Sequence, residues 1–148
     1  MPPTTAPVWQ QKVVRLSPRR RGCHLVTRDV ADEIRPLLKN VNVGMLNLFV
    51  QHTSCSLTIN ENCDPSVRHD METFLCGVVP EGRGSPWTHT AEGDDDMPAH
   101  CKSSMFGCSL QIPISRGEMA LGTWQGLWLC EHRDHATPRS IVATVMGQ

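Results

Sequence analysis

No stretch of this chain reaches the eighteen or so consecutive apolar residues that a membrane-spanning helix requires. The opening residues, Met1-Pro2-Pro3-Thr4-Thr5-Ala6-Pro7, lack the apolar segment of a secretory signal. An excess of one charge is missing too. With 14 Lys and Arg against 15 Asp and Glu, the formal net charge is -1, which offers neither nucleic acid nor an anionic membrane a hold through bulk electrostatics. The basic cluster Arg19-Arg20-Arg21 after Pro18 is short and reads as an exposed patch. No two cysteines stand as Cys-x-x-Cys, which excludes a zinc knuckle and a thioredoxin-like motif. There is no Gly-rich phosphate loop and no Asp-rich magnesium pair, and no repeat or linker divides the chain. These absences predict a soluble, cytoplasmic, single-domain protein, with a tail over 1–8 and the domain over 9–148, and with neither nucleic acid nor membrane as partner.

At 148 residues, with 39% hydrophobic and 20% charged content, such a chain buries roughly two-thirds of its unfolded surface. Seven cysteines are many. Without a secretory signal they read as reduced thiols, with Cys55, Cys76 and Cys130 as small core residues.

Strands are expected over 8–16 and 22–27, then a helix capped by Asp29 with Val30, Ile34, Leu37 and Leu38 on one face. Pro36 should kink or end that helix. The apolar run 44–50 predicts a central strand, and the alternation in 55–60 a half-buried strand pairing with it. Asp64-Pro65 supplies an N-cap and first-turn proline for a helix with Val67, Met71, Phe74, Leu75 and Val78 on one stripe. A third helix runs from about Pro98 to Phe106, capped by Asp96 or Met97 and stopped by Gly107. Strands follow near 110–114, 119–121, 122–131 and 141–145, with Gly126 marking a bulge or a close backbone approach. About seven strands and three helices predict an α+β fold, a largely antiparallel sheet or sandwich.

The chain is organised around His89-Thr90-Ala91-Glu92-Gly93-Asp94-Asp95-Asp96-Met97-Pro98-Ala99-His100. Four carboxylates lie between two imidazoles, and the stretch runs from a loop into a helix start. Such groups can ligate a metal or move protons, or the stretch is a solvated acidic loop feeding a capped helix. His52 follows the central strand, where a lone His is often a structural cap. Asn60, Glu61 and Asn62 follow the next strand. Trp124-Gln125 and Glu131-His132 stand at opposite ends of one strand, so one pair at most joins a given site. His52, His89 and His100 are the expected ligands of zinc or a similar divalent ion. Glu92, Asp95 or Glu131 would serve as general base, and Glu131 is also a possible fourth ligand. Arg68 and Lys102, each early in a helix, could hold a phosphate, or make ordinary surface ion pairs. His132 and His135 lie by the polar turn 133–136 and are expected to be exposed.

His-Thr-Ser-Cys-Ser-Leu-Thr-Ile-Asn-Glu-Asn (52–62) with Asp64-Pro65, the stretch 89–100, and Leu-Gly-Thr-Trp-Gln-Gly (121–126) together resemble the YjbQ-like family, the secondary thiamine-phosphate synthase family. The likeness covers about 9–147. It implies a β-sandwich α+β domain, a homotrimer with a polar pocket near the subunit interfaces, and a metal or anion site at His52, His89 and His100. It also implies joining a hydroxymethyl-pyrimidine diphosphate to a thiazole phosphate with release of pyrophosphate. Asn60, Asn62, Arg68, Lys102, Trp124 and Gln125 are then the candidates for holding a small phosphorylated metabolite. Cys55 and Cys63 stand where the family commonly has non-thiol residues, and Asp94 adds a charge. Two other readings remain open: a metal-dependent hydrolase of a small metabolite, and a trimer that binds metal or metabolite without turnover.

Overall fold

The structure, a computed structural model, describes residues 6–135 and 137–148. Most of the expected tail, residues 1–5, lies outside the described residues, as does Ala136 of the polar turn. The element order is β1 (Val8–Leu16), β2 (Gly22–Leu25), α1 (Thr27–Leu38), β3 (Val43–Val50), β4 (Cys55–Glu61), α2 (Pro65–Val78), α3 (Asp96–Phe106), β5 (Ser109–Ser115), β6 (Glu118–Met119), β7 (Gln125–Glu131) and β8 (Arg139–Gly147). Among the described residues, eight strands and three helices make an α+β domain with antiparallel pairing throughout.

Two sheets form a sandwich. One has the order β1-β8-β3-β5-β6 and the other β2-β7-β4. Strand alternation sends Val14, Leu46, Leu48, Ile112, Ile141, Ala143 and Val145 of the first against Cys55, Leu57, Leu127 and Leu129 of the second. Val30, Ile34 and Leu38, one turn apart on α1, close the same core. The outer face of the smaller sheet is covered by α2 and α3, where Leu75 packs on Cys23, Trp128 and Cys130. Among the described residues no helix covers the outer face of the larger sheet, which presents Trp9, Val13, Phe49 and Met146 to solvent.

Four expectations fail here for physical reasons. β4 does not pair with β3; its partner is β7, with Cys55 opposite Glu131 and Glu61 opposite Gln125. Gln51 to Ser54 carry the chain from one sheet to the other, so the alternation in 55–60 marks a strand covered on both faces, and Ser56 is fully buried. α1 begins at Thr27, not after Asp29, and passes through Pro36 to Leu38. Pro36 lies in its exposed last turn, where the N–H it lacks would have bonded a solvent-facing carbonyl. Cys76 is exposed, because only Leu75 of the α2 stripe is buried and Phe74 and Val78 face solvent. Of the two roles expected of Gly126, the bulge is not found, since it pairs with Asn60 inside the regular ladder. Its role is close approach: a Cβ there would lie 2.7 Å from Leu25 Cδ2 and 2.9 Å from Asn62 Cβ. The caps at Asp64, whose carboxylate accepts from the Ser66 N–H, and at Gly107, with φ 93°, are those read from the sequence.

Candidate functional site

α3 starts two residues earlier than Pro98 suggests, at Asp96, with Asp95 as its N-cap. That shift places Asp96 and His100 four residues apart on one helix face. The acidic loop folds back so that His89 meets the same carboxylate. Asp96 Oδ2 lies 2.7 Å from His89 Nε2 and 3.1 Å from His100 Nε2. These three ligand-type atoms all lie within 4.8 Å of one another. The Arg133 guanidinium binds the other Asp96 oxygen, reaches Asp95 Oδ2 at 2.9 Å, and ties down the loop through the Glu92 carbonyl at 3.0 Å.

Burial alone would raise the Asp96 carboxyl, but the His89 hydrogen bond, followed by the charges of His100 and Arg133, holds it below the ordinary range. Asp95 is also held low: the Asp134 N–H and then Arg133 outweigh burial. A carboxylate so engaged is a fixed negative charge and a poor proton carrier. Glu92 stays exposed at the edge of the loop.

His100 carries the most information. Its Nδ1 lies 2.9 Å from the Thr53 carbonyl, which can only accept, so Nδ1 carries the proton. In neutral imidazole Nε2 is then a lone pair, and it faces an ionised carboxylate. Two acceptors 3.1 Å apart bond only with a proton or a cation between them. The backbone carbonyl that fixes the ring is the kind of outer partner that orients metal-ligating histidines.

His52 is set differently. Its Nε2 accepts the Ser140 N–H at 2.8 Å, so the proton sits on Nδ1 and the ring offers a donor. Burial, followed by the charge of Arg139, lowers its pKa and keeps it neutral. His52 and His100 both line a groove of about 670 Å³ with Phe49, Thr53, Ser104 and Cys108. His89 and His100 therefore meet at Asp96, while His52, expected with them, stands apart from that cluster on the groove wall.

Glu131 and His132 reach this end of β7 but point inward. Glu131 is fully buried, bonded to Arg139 Nε at 2.7 Å and Nη2 at 2.5 Å and to the His132 N–H at 3.0 Å. Arg139 also holds Ser54 Oγ at 3.0 Å, so the pair anchors the loop carrying His52 and Thr53. His132, expected to be exposed, is buried with Nε2 2.9 Å from Ser56 Oγ. Burial, then the charge of Lys102, pushes its pKa down to about 3.

The remaining candidates are elsewhere. Asn60, Glu61, Trp124 and Gln125 line a cleft of their own at the other end of the β4–β7 ladder, about 20 Å away by strand rise. Asn62 there donates to the Thr123 and Gln125 carbonyls at 3.1 Å. Arg68 lies in the first turn of α2, just past that end. Lys102 is fully buried on the far side of α3 from His100, with Nζ 3.7 Å from Cys76 Sγ. Sequence reasoning missed Asp96, Arg133 and Arg139 as site residues. The Asp96–His100 spacing of four was the available signal for the first. Nothing local marked the two arginines, whose partners lie 37 and 8 residues away.

The family model described as "UPF0047 protein YjbQ-like" matches residues 12–148. The chain is 50% identical to the UPF0047 protein YjbQ of Escherichia coli O157:H7 over 95% of its own length and all of that protein. A crystal structure from Clostridium acetobutylicum, an uncharacterized conserved protein of the yjbq/upf0047 family, is 31% identical with a TM-score of 0.76 and covers 90% of this chain and 98% of its own. A YbjQ-like protein of unknown function from Sulfolobus solfataricus superimposes with a TM-score of 0.80 at 20% identity, over 97% of this chain and 100% of that one.

Proposed function

The chain belongs to the UPF0047 YjbQ-like family, and from that premise we propose that it is a metal-dependent enzyme of small metabolites, with His89, Asp96 and His100 as ligands of one divalent ion. The observation that carries this reading is the convergence of His89 Nε2 and His100 Nε2 on one Asp96 oxygen while the Thr53 carbonyl holds His100 Nδ1. Two imidazoles and one carboxylate are a donor set suited to zinc or to ferrous iron, and three protein ligands leave positions open for water and substrate.

A bound ion would supply Lewis-acid activation of a water, the chemistry of metal-assisted hydrolysis. The rest falls to the chain itself. Arg133 orients Asp96 and, with Asp95, pins the loop bearing His89. Thr53 O sets the His100 ring. The groove beside the triad takes the substrate body against Phe49, and His52 Nδ1–H points a donor at an acceptor on it. Glu92, the exposed carboxylate of the same loop, is the group free to take a proton.

Condensation of the pyrimidine diphosphate with the thiazole phosphate is the second reading. Arg15 favours it, a cation whose charge is felt at His52. Lys102 and Arg68, which that reaction would use on the leaving pyrophosphate, stand away from the groove, so hydrolysis is the better supported of the two. We further propose a cytoplasmic homotrimer. The bare outer face of the five-stranded sheet, with Trp9 71% and Val13 56% exposed, supports burial against other copies. Light scattering should then give three times the 16.5 kDa chain mass.

The test is titration of metal-stripped protein with cobalt(II) and zinc(II), read by absorption and calorimetry. One equivalent per chain is expected for wild type and for His52→Gln, and none for Asp96→Ala or His100→Ala. Loaded protein is then assayed with p-nitrophenyl acetate and, separately, with the two thiamine precursors. Failure of wild type to bind either ion at micromolar concentration ends the metal reading. Binding without turnover of any ester or of the precursors moves the protein to a storage or sensing role.

A further inference from the structure

Two cysteines outside the candidate site stand directly opposite each other. In the β2–β7 ladder Cys23 is the register partner of Cys130, and both side chains point to the α2 side, in one small cluster with Leu75 and Trp128. The Val26 N–H donates to the Leu127 carbonyl at 2.9 Å, which makes that pair a hydrogen-bonded one. Bonded and open pairs alternate along an antiparallel ladder, so three residues on Cys23–Cys130 falls at an open position, where Cα atoms stand about 4.5 Å apart and side chains are closest. A disulfide spans Cα separations of about 4.4–6.8 Å. Both thiols are free, and an open pair of that spacing falls within the range a disulfide spans.

We propose that Cys23 and Cys130 are a thiol oxidation site, converted by hydrogen peroxide into a cross-strand disulfide that ties edge strand β2 to β7. Cys23 is the more exposed, 8% against 0%, and is the sulfur the oxidant meets. Its thiolate attacks one peroxide oxygen, the O–O bond breaks, and a sulfenic acid and hydroxide result. The Cys130 sulfur then attacks the Cys23 sulfur. The S–S bond forms, and the departing hydroxide leaves with the Cys130 proton as water. In sum, two thiols and one peroxide give one disulfide and two waters.

Peroxide is small enough to reach the pair when the four-residue edge strand β2 opens locally. The hydrogen bond to Cys23, followed by burial, holds the Cys130 thiol well above its ordinary range, so the reaction is slow and Cys130 acts as the resolving sulfur. Cys55 sits on the other face of the smaller sheet in the main core, its thiol pushed up to about 12 by burial, and is inert. The bridge stiffens β7, the strand that leads into Arg133 and its hold on Asp95 and Asp96.

The experiment treats the full chain with hydrogen peroxide, unfolds it in N-ethylmaleimide, and maps the peptides by mass spectrometry. The expected product is a peptide pair linked through Cys23 and Cys130, two mass units below the reduced sum and separated by dithiothreitol. Its appearance should track a rise in Tm of about 5–15 °C that is absent in Cys23→Ser. Exposed Cys63, Cys76 and Cys108 take up oxygen or alkylating agent without forming that link. Recovery of Cys23 and Cys130 alkylated, or linked elsewhere, when the exposed thiols are already oxidised would overturn the proposal. The mapping is done on wild type, so it stands even if Cys23→Ser folds poorly.

Discussion

Replacing Arg139 by Met should unfold this protein more readily than any exposed substitution. Arg139 is 4% and Glu131 0% exposed. Their contact is two-pronged, at 2.7 and 2.5 Å, and the Glu131 hydrogen bonds together with the neighbouring charges outweigh burial to raise the Arg139 pKa. Without the guanidinium, the carboxylate keeps the N–H groups of His132 and Arg133 at 3.0 and 3.3 Å but loses its counter-charge in a dry site. Stranding one member of a buried pair costs about 3–5 kcal/mol. For a chain of this size that is a Tm drop of roughly 6–20 °C. Arg139 also donates to Ser54, and that loss is common to every variant lacking it. The double variant Glu131→Gln, Arg139→Met therefore isolates the stranded charge. It should recover about 2 kcal/mol or more of the loss, since Gln still accepts from the two N–H groups. Urea unfolding of wild type, both single variants and the double variant closes the cycle. A loss below about 1 kcal/mol for Arg139→Met, or a double variant no better than the single, would refute the reasoning. The resulting picture, in which the pair clamps the His52 loop, would go with it.

Gly126→Ala should destabilise by about 1–3 kcal/mol, because its Cβ would press on Leu25, Asn62 and Thr27. Gly77→Ala, in α2 with nothing within 4 Å of the added carbon, should stabilise by about 0.5–1 kcal/mol. Denaturant midpoints moving the same way for both variants would contradict this. His132 is held neutral down to about pH 3 in the fold but titrates near 6.5 when unfolded, so the unfolded state binds the extra proton in that window. Stability should therefore fall as pH drops from about 6.5 toward 3, with His132 alone giving about 1.4 kcal/mol per pH unit and His52, also lowered, adding to the slope. Unfolding free energies that stay flat between pH 6.5 and 4 would be incompatible with a buried neutral imidazole. Arg133→Met should weaken cobalt binding by roughly 10–100-fold while leaving the far-ultraviolet circular dichroism unchanged. Equal affinity in both proteins would remove Arg133 from the support of Asp96.

Much of this protein is written in short-range order. Period-two alternation marked β4 and β5, the Asp64-Pro65 and Gly107 signals bounded α2 and α3, and the twelve residues from His89 to His100 marked where the imidazoles and Asp96 gather. These are readable because each depends on neighbours within one helical turn or one strand. What the chain could not announce is who faces whom across it. Alternation in 55–60 is the same whether β4 pairs with β3 or with β7, and only the crossing at Gln51 to Ser54 decides that Ser56 is buried. The triad turns on Asp96 rather than Asp95 or Glu92. Among adjacent carboxylates, the choice is made by the phase of α3 against the loop and by an arginine 37 residues away. Lys102 and Glu131 looked like reactive groups because charge is visible in sequence and burial is not. Packing against Cys76 and Arg139 turned both into structure, and left His52 and His100 to line the groove, with Asp96 buried behind His100.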